Sequence, residues 1–220
     1  MARDLRRPLE TADFNKLALE PLVKDLANSW WNLRWAEHDK PGKRLFATTS
    51  GRLTPSSGTV PCLYLAETQE TSFYEIYGDV VDAAQKRKQE PRLTMSELEQ
   101  RVFLKNTHPT SLILYDLTEP KSAKKIGTDL ATLYAPDVGL PRLFAQRLHD
   151  HPARFDGIQY ISRHTQGPCI VLWATHTPAL NDIEMVRTES LWDLVTLDRT
   201  LNPALMRLFD TVIEVAASPK

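Results

Sequence analysis

Glu75 lies in the stretch Phe73-Tyr74-Glu75-Ile76-Tyr77, shortly after an apolar strand-like run, Cys62-Leu63-Tyr64-Leu65-Ala66. Thr68 is suited to cap a helix N-terminus, because its hydroxyl can accept from a backbone N–H of the first turn. A helix starting there puts Phe73, Ile76, Tyr77 and Val80 on one apolar face, with Glu75, Asp79 and Asp82 opposite. Spacing alone makes that side a solvated acidic face. Its position, directly after a strand and a long loop, is one that commonly lines a cleft. The other candidate cluster is His149-Asp150-His151, ahead of Pro152. Two histidines at i, i+2, with no further ligand at suitable spacing, make a poor metal site, so a surface loop and no metal are expected. Gly-x-Gly-x-x-Gly, a phosphate loop ending Gly-Lys-Ser/Thr and His-Glu-x-x-His are all absent.

The elements that must position these residues alternate irregularly. Residues 1–13 are polar and proline-broken, and an amphipathic pattern through Leu17, Leu22, Val23, Leu26 and Trp30 predicts a helix there. Trp30–Trp35 fits helix or strand equally. Residues 39–61 carry loop chemistry, and loops of that length are commonly functional. Residues 82–106 are strongly charged, with a capping box at Thr94-Met95-Ser96-Glu97. Strands are expected at Leu112–Leu117, Gly157–Ile161, Cys169–Ala174, Leu191–Val195 and Val212–Val215, and a helix through Leu140, Leu143, Phe144 and Leu148 that stops near Pro152. This interleaving without βαβ regularity is mixed α+β.

Composition narrows the function classes. The 27 Lys+Arg against 28 Asp+Glu leave a formal net charge of −1, without the basic excess of a nucleic-acid binder. The compact run Lys86-Arg87-Lys88 reads as a solvated helix face. No apolar run reaches the ~18–20 residues of a membrane span, and none follows Arg6-Arg7 to make a signal peptide. Cys62 and Cys169 sit in apolar runs and read as buried reduced thiols. Together these features point to a cytoplasmic protein.

Three segments, read in order, resemble the RES domain family. They are Gly51-Arg52-Leu53-Thr54-Pro55 followed by Leu63-Tyr64-Leu65-Ala66 and Phe73-Tyr74-Glu75; then Leu112–Thr118; then Asp156-Gly157-Ile158-Gln159-Tyr160-Ile161-Ser162-Arg163-His164 with Cys169–Trp173. The family pattern is a Gly-Arg-aromatic-Asp/Asn turn, a Leu-Tyr-Leu-Ala strand, a helix with the glutamate, an Asp-Leu-Thr strand end and a Gly-Ile-x-Tyr-x-Ser-Arg strand. The resemblance covers about residues 30–175, with the segment 82–110 as a charged helical insertion, 1–29 as an arm and helix, and 176–220 as a C-terminal extension.

The resemblance implies an ADP-ribosyltransferase-like fold that binds NAD as substrate and cleaves its nicotinamide–ribose bond, with no other cofactor. It also implies a toxin paired with a Xre-like antitoxin. By motif, Arg52, Glu75 and Ser162 are the catalytic candidates, and Tyr64 with Arg34, a weaker match, the substrate-binding ones. Tyr64 equally suits a core aromatic, Ser162 a strand filler, and Arg34 a surface or interface position. A Trp30-Trp31-Trp35 cluster, if exposed, would suit the partner's interface. Leu53-Thr54 departs from the family's aromatic-Asp/Asn and bears on the turn's geometry. It favours the rival reading, an inactive RES-fold binding module. Water, phosphate and a protein remain open as acceptors.

Overall fold

The computed structural model describes residues 14–26, 30–38, 51–89, 93–107, 110–135, 137–176, 185–191 and 193. Eight strands form one curled mixed sheet: β1 (Leu22–Leu26), β2 (Trp31–Trp35), β3 (Cys62–Ala66), β4 (Arg101–Asn106), β5 (Thr110–Asp116), β6 (Gly157–Ile161), β7 (Pro168–Trp173) and β8 (Met185–Ser190). Their order is β1-β5-β6-β7-β3-β2-β4-β8. All pairs are antiparallel except β5–β6. That parallel pair needs a crossover, which is supplied by α3 (Pro120–Lys125), α4 (Leu130–Tyr134) and α5 (Gly139–His149). The long helix α1 (Gln69–Lys86) follows β3, and the short α2 (Met95–Gln100) leads into β4.

Three apolar clusters hold the layers together. One joins the sheet to the crossover helices through Phe144, Leu148, Phe155, Ile158 and Trp173. A second gathers Leu26, Trp30, Leu65, Leu104, Leu114 and Ile170, so residues from both flanks of the sheet meet where it curls. The third packs α1 on β2 and β4 through Leu33, Phe73, Tyr77, Leu98, Phe103 and Leu191. Strands β2 and β3 share a single register pair, Trp31↔Ala66, and then part. Beyond the fork the Asn32 side chain reaches across to the Tyr64 carbonyl at 2.8 Å.

Most elements stand where the sequence puts them, including the Thr68 cap, which accepts from the Thr71 N–H, and the Thr94–Glu97 capping box. Four expectations are corrected. The helix expected from Phe14 to Trp30 is a 3-10 turn at Phe14–Lys16 followed by β1. Pro21 disfavours helical backbone at Glu20 and has no N–H to donate, and pairing with β5 settles the rest.

The charged helical segment expected over 82–110 contains β4, an interior strand. Its Arg101 and Lys105 lie over the Trp35 and Trp31 rings, 3.9 and 5.3 Å from the centroids, which lets cations sit on a strand between two others. The strand expected at Leu191–Val195 comes earlier, as β8. It ends because the Ser190 hydroxyl accepts from the Asp193 N–H at 3.0 Å while Asp193 accepts from the Ser190 N–H at 2.9 Å, a reciprocal cap. Trp30 is buried and Trp31 and Trp35 partly so; the tryptophans do not form an exposed cluster. Val212–Val215 lies outside the described residues. Among those described, no helix is long and apolar enough to cross a membrane.

The core role of β4 is testable at Phe103, which is fully buried. Phe103→Ala is expected to cost about 3–5 kcal/mol, as large core truncations do. On a solvated helical insertion the same change would stay within about 0.5 kcal/mol. Urea unfolding followed by far-UV circular dichroism separates the two.

Candidate active site

Helix α1 buries Phe73, Tyr77 and Val81, spaced at i, i+4 and i+8, together with Gly78. Ile76 and Val80, expected on that face, are 42% and 43% exposed. The polar side, Thr71, Glu75, Asp79 and Asp82, keeps Glu75 and Asp79 exposed to solvent, and it receives the β6–β7 turn residue by residue. Glu75 Oε2 accepts from the Tyr160 hydroxyl and Oε1 from the Ser162 hydroxyl, each at 2.7 Å. Asp79 takes the Arg163 guanidinium, Asp82 lies 3.2 Å from His164 Nδ1, and the hydroxyls of Thr71 and Thr165 pair at 3.0 Å. Arg163 Nε donates to His164 Nε2 at 3.1 Å.

The His164 ring fills the space above Gly78, where a Cβ would stand 2.4 Å from it. Burial and the Glu75 charge push the Tyr160 phenol well above the usual tyrosine range, so it stays a hydrogen-bond donor throughout neutral pH.

The turn at Gly51–Thr54 is closed by the Thr54 N–H to the Gly51 carbonyl at 3.3 Å. Leu53 and Thr54, the departures from the family pattern, are both buried. The Thr54 and Tyr64 hydroxyls lie 2.9 Å apart, and a Cβ on Gly51 would stand 2.4 Å from the Tyr64 oxygen. Thr54 thus takes over the turn's polar anchoring, and the two residues do not unmake it. Arg52 donates to the carbonyls of Leu133 and Ala135, at the end of α4. Burial foremost, and then neighbouring Arg163, lowers its proton affinity, yet a guanidinium remains charged.

Between the turn, the β2–β3 fork and α1 lies a cavity of about 760 Å³, within the ordinary range for ligand pockets. Arg34, Arg52, Tyr64 and Glu75 all line it. Arg34 is buried, its Nε donating to Asn32 Oδ1 at 2.5 Å, so it is neither a surface nor an interface residue. Ser162 is fully buried behind Glu75 and holds that carboxylate, so it is more than a strand filler. Tyr160, Arg163, Trp35 and Arg101 also line the cavity and were not singled out as site residues. Tyr160 and Arg163 had a signal: both belong to the Gly157–His164 block that carries Ser162.

Cys62 and Cys169 are buried free thiols, and burial pushes Cys62 up to about 11, far from thiolate chemistry. His151 is buried, its ring edge-on to Phe14, and His149 stacks on His176 at 4.2 Å, so these histidines belong to packing and not to a surface loop. Ligand atoms of Asp79, Asp82 and His164 lie within 4.8 Å of one another, and they are engaged in the pairs just described.

These contacts fix a proton. With Nε2 accepting from Arg163 and Nδ1 facing Asp82, His164 is expected to carry a proton on Nδ1 and none on Nε2. Long-range 15N–1H correlation on labelled protein checks this at neutral pH; an Nε2–H tautomer would mean that Arg163 and Asp82 do not hold the ring as described.

The model of the RES domain matches residues 29–195. No curated protein matches. Among solved structures, a chain in the crystal structure of the M. tuberculosis MbcT–MbcA toxin–antitoxin complex is similar at a TM-score of 0.50 and 20% identity, over 92% of this chain and 94% of that one. The fold is therefore the mixed α+β one shared with that chain. With the family model spanning most of its length, this chain belongs to the RES domain family.

Proposed function

We propose that the chain is a toxin enzyme that consumes NAD by cleaving its nicotinamide–ribose bond, with Glu75 as the catalytic residue. The observation that carries this reading is the state of the Glu75 carboxylate. Each of its oxygens accepts one short hydroxyl bond, from Tyr160 and Ser162, at the wall of a cavity that also holds Arg34, Arg52 and Tyr64. A carboxylate has about four lone-pair sites, so two remain for a ligand while the group cannot swing.

Cleavage of the glycosidic bond builds positive charge on the ribose. A fixed carboxylate bonded to the ribose hydroxyls strengthens as that charge grows, so it stabilises the transition state more than the ground state. Nicotinamide leaves as a neutral molecule and needs no general acid, which suits a site where Tyr160 keeps its proton. Ser162 and Tyr160 are then positioning residues that act through Glu75. Tyr64 offers an aromatic face to the dinucleotide. Arg34 and Arg52 offer guanidinium donors, the latter while tying α4 to the turn.

The similar structure is a chain of a toxin–antitoxin complex. We infer by analogy a protein antitoxin, Xre-like as the family resemblance implies, that suppresses this chain by covering the cavity. The reading as an inactive binding module rested on Leu53-Thr54. The turn is closed with Leu53-Thr54 in place, which supports the enzyme reading over that one.

Pure protein incubated with NAD, with and without phosphate, should release nicotinamide, and the ribosyl product identifies the acceptor. Glu75→Ala should fold normally and lose about 100- to 1000-fold in rate, the usual cost of one transition-state partner. It should also relieve the growth arrest and NAD loss that expression of the unaltered chain causes. A folded variant that depletes NAD as fast rules out the role of Glu75. Arg52→Lys keeps the charge and loses the fork, so apparent NAD affinity should fall about ten- to a hundred-fold. An unchanged KM with an unchanged melting temperature would remove Arg52 from the site.

A further inference from the structure

Four guanidinium groups line the cavity, those of Arg34, Arg52, Arg101 and Arg163. Three have polar partners: Arg52 the carbonyls of Leu133 and Ala135, Arg163 the Asp79 carboxylate and His164, and Arg34 the Asn32 amide oxygen. Arg101 is held differently. It is the cross-strand partner of Trp35, and its guanidinium carbon lies over that indole, 3.9 Å from the ring centroid, with the Tyr77 ring 5.8 Å away. Its Nε is buried and has no hydrogen-bond partner among the described residues.

A guanidinium held over aromatic rings keeps N–H groups for other partners. The stack also fixes the side chain before any ligand arrives, so little rotamer freedom is lost on binding. The ligand that suits a rigid in-plane fork at the wall of this cavity is an oxyanion with paired oxygens.

We propose that Arg101, carried on the Trp35 ring, binds the diphosphate of the dinucleotide, with Trp35 as its positioning residue. This rests on the reading of the cavity as an NAD site and adds a residue to it. Arg52, to which the diphosphate is the obvious assignment by motif, has its Nη1 on the carbonyls of Leu133 and Ala135 and shares the ligand through its other donors.

The test is calorimetric titration of the full chain with ADP, which carries the diphosphate, and with adenosine, which does not. Arg101→Gln is expected to weaken ADP about ten- to a hundred-fold, the worth of a charge-assisted hydrogen bond, and to leave adenosine unchanged. Arg101→Lys, charged but without the fork, should recover only part of the loss. Because Arg101 also packs on Trp35, the melting temperature of each variant is measured alongside. The ratio of ADP to adenosine affinity is the readout that general loosening would not move. The same ratio in Arg101→Gln as in the unaltered chain overturns the assignment, as does an unaltered chain that does not bind ADP. NAD turnover, measured alongside, separates the two readings. Turnover with Arg101-independent ADP binding removes only this subsite. Arg101-dependent ADP binding without turnover leaves the subsite standing and removes the chemistry.

Discussion

The docking of the β6–β7 turn against the polar side of α1 is the constraint on which the site depends. A carboxylate exposed at a cavity wall would ordinarily sample several rotamers. Here Glu75 is tied by two hydroxyls, one from the last part of β6 and one from the turn after it. Neighbouring pairs hold the turn itself, Asp79 with Arg163 and Asp82 with His164, and Gly78 leaves room for the imidazole. Asp79 is largely exposed, so its ion pair contributes little to global stability. What the row of pairs supplies is geometry. A helix and a turn far apart in sequence are brought into one register, and that register fixes the direction of one carboxylate.

The cavity itself follows from a defect in the sheet. Strands β2 and β3 begin as neighbours and separate after one pair, while each keeps its outer partner, β4 and β7. Side chains past the fork face a gap where a regular sheet would have hydrogen bonds. Asn32 spans part of it, and Arg34 and Tyr64 border the rest. Backbone groups released by the fork are thereby partly satisfied, which buried polar groups require. Polar residues at Asn32 and Arg34, in an otherwise apolar strand, have their explanation there.

Cations are managed in two ways around this gap. Arg52 and Arg163 are paired with carbonyl or carboxylate oxygens, and Arg101 and Lys105 rest on tryptophan rings. Pairing ties Nη1 of Arg52 and the Nε and Nη2 of Arg163 to the protein. Rings hold Arg101. The chain thus keeps positive charge at the cavity wall without collapse of every arginine onto a neighbouring acid.

Much of this was legible in the sequence. The Thr68 cap, the strands at Cys62–Ala66, Gly157–Ile161 and Pro168–Trp173, and the order of motifs depend on local patterns, and local hydrogen bonding or alternation enforces them. The same order carried the fold and placed Arg34, Arg52, Tyr64 and Glu75 in one site. Other features had no local signature. Leu22–Leu26 is compatible with helical spacing until β5 pairs with it, and Arg101–Asn106 reads as a charged helix until Trp31 and Trp35 offer rings to its cations. Which side of α1 is buried, whether Ser162 faces substrate or holds Glu75, and what Arg101 lies against were decided only in the tertiary structure. Periodicity reports which residues share a face of their own element; what that face meets is set by residues far away in the chain.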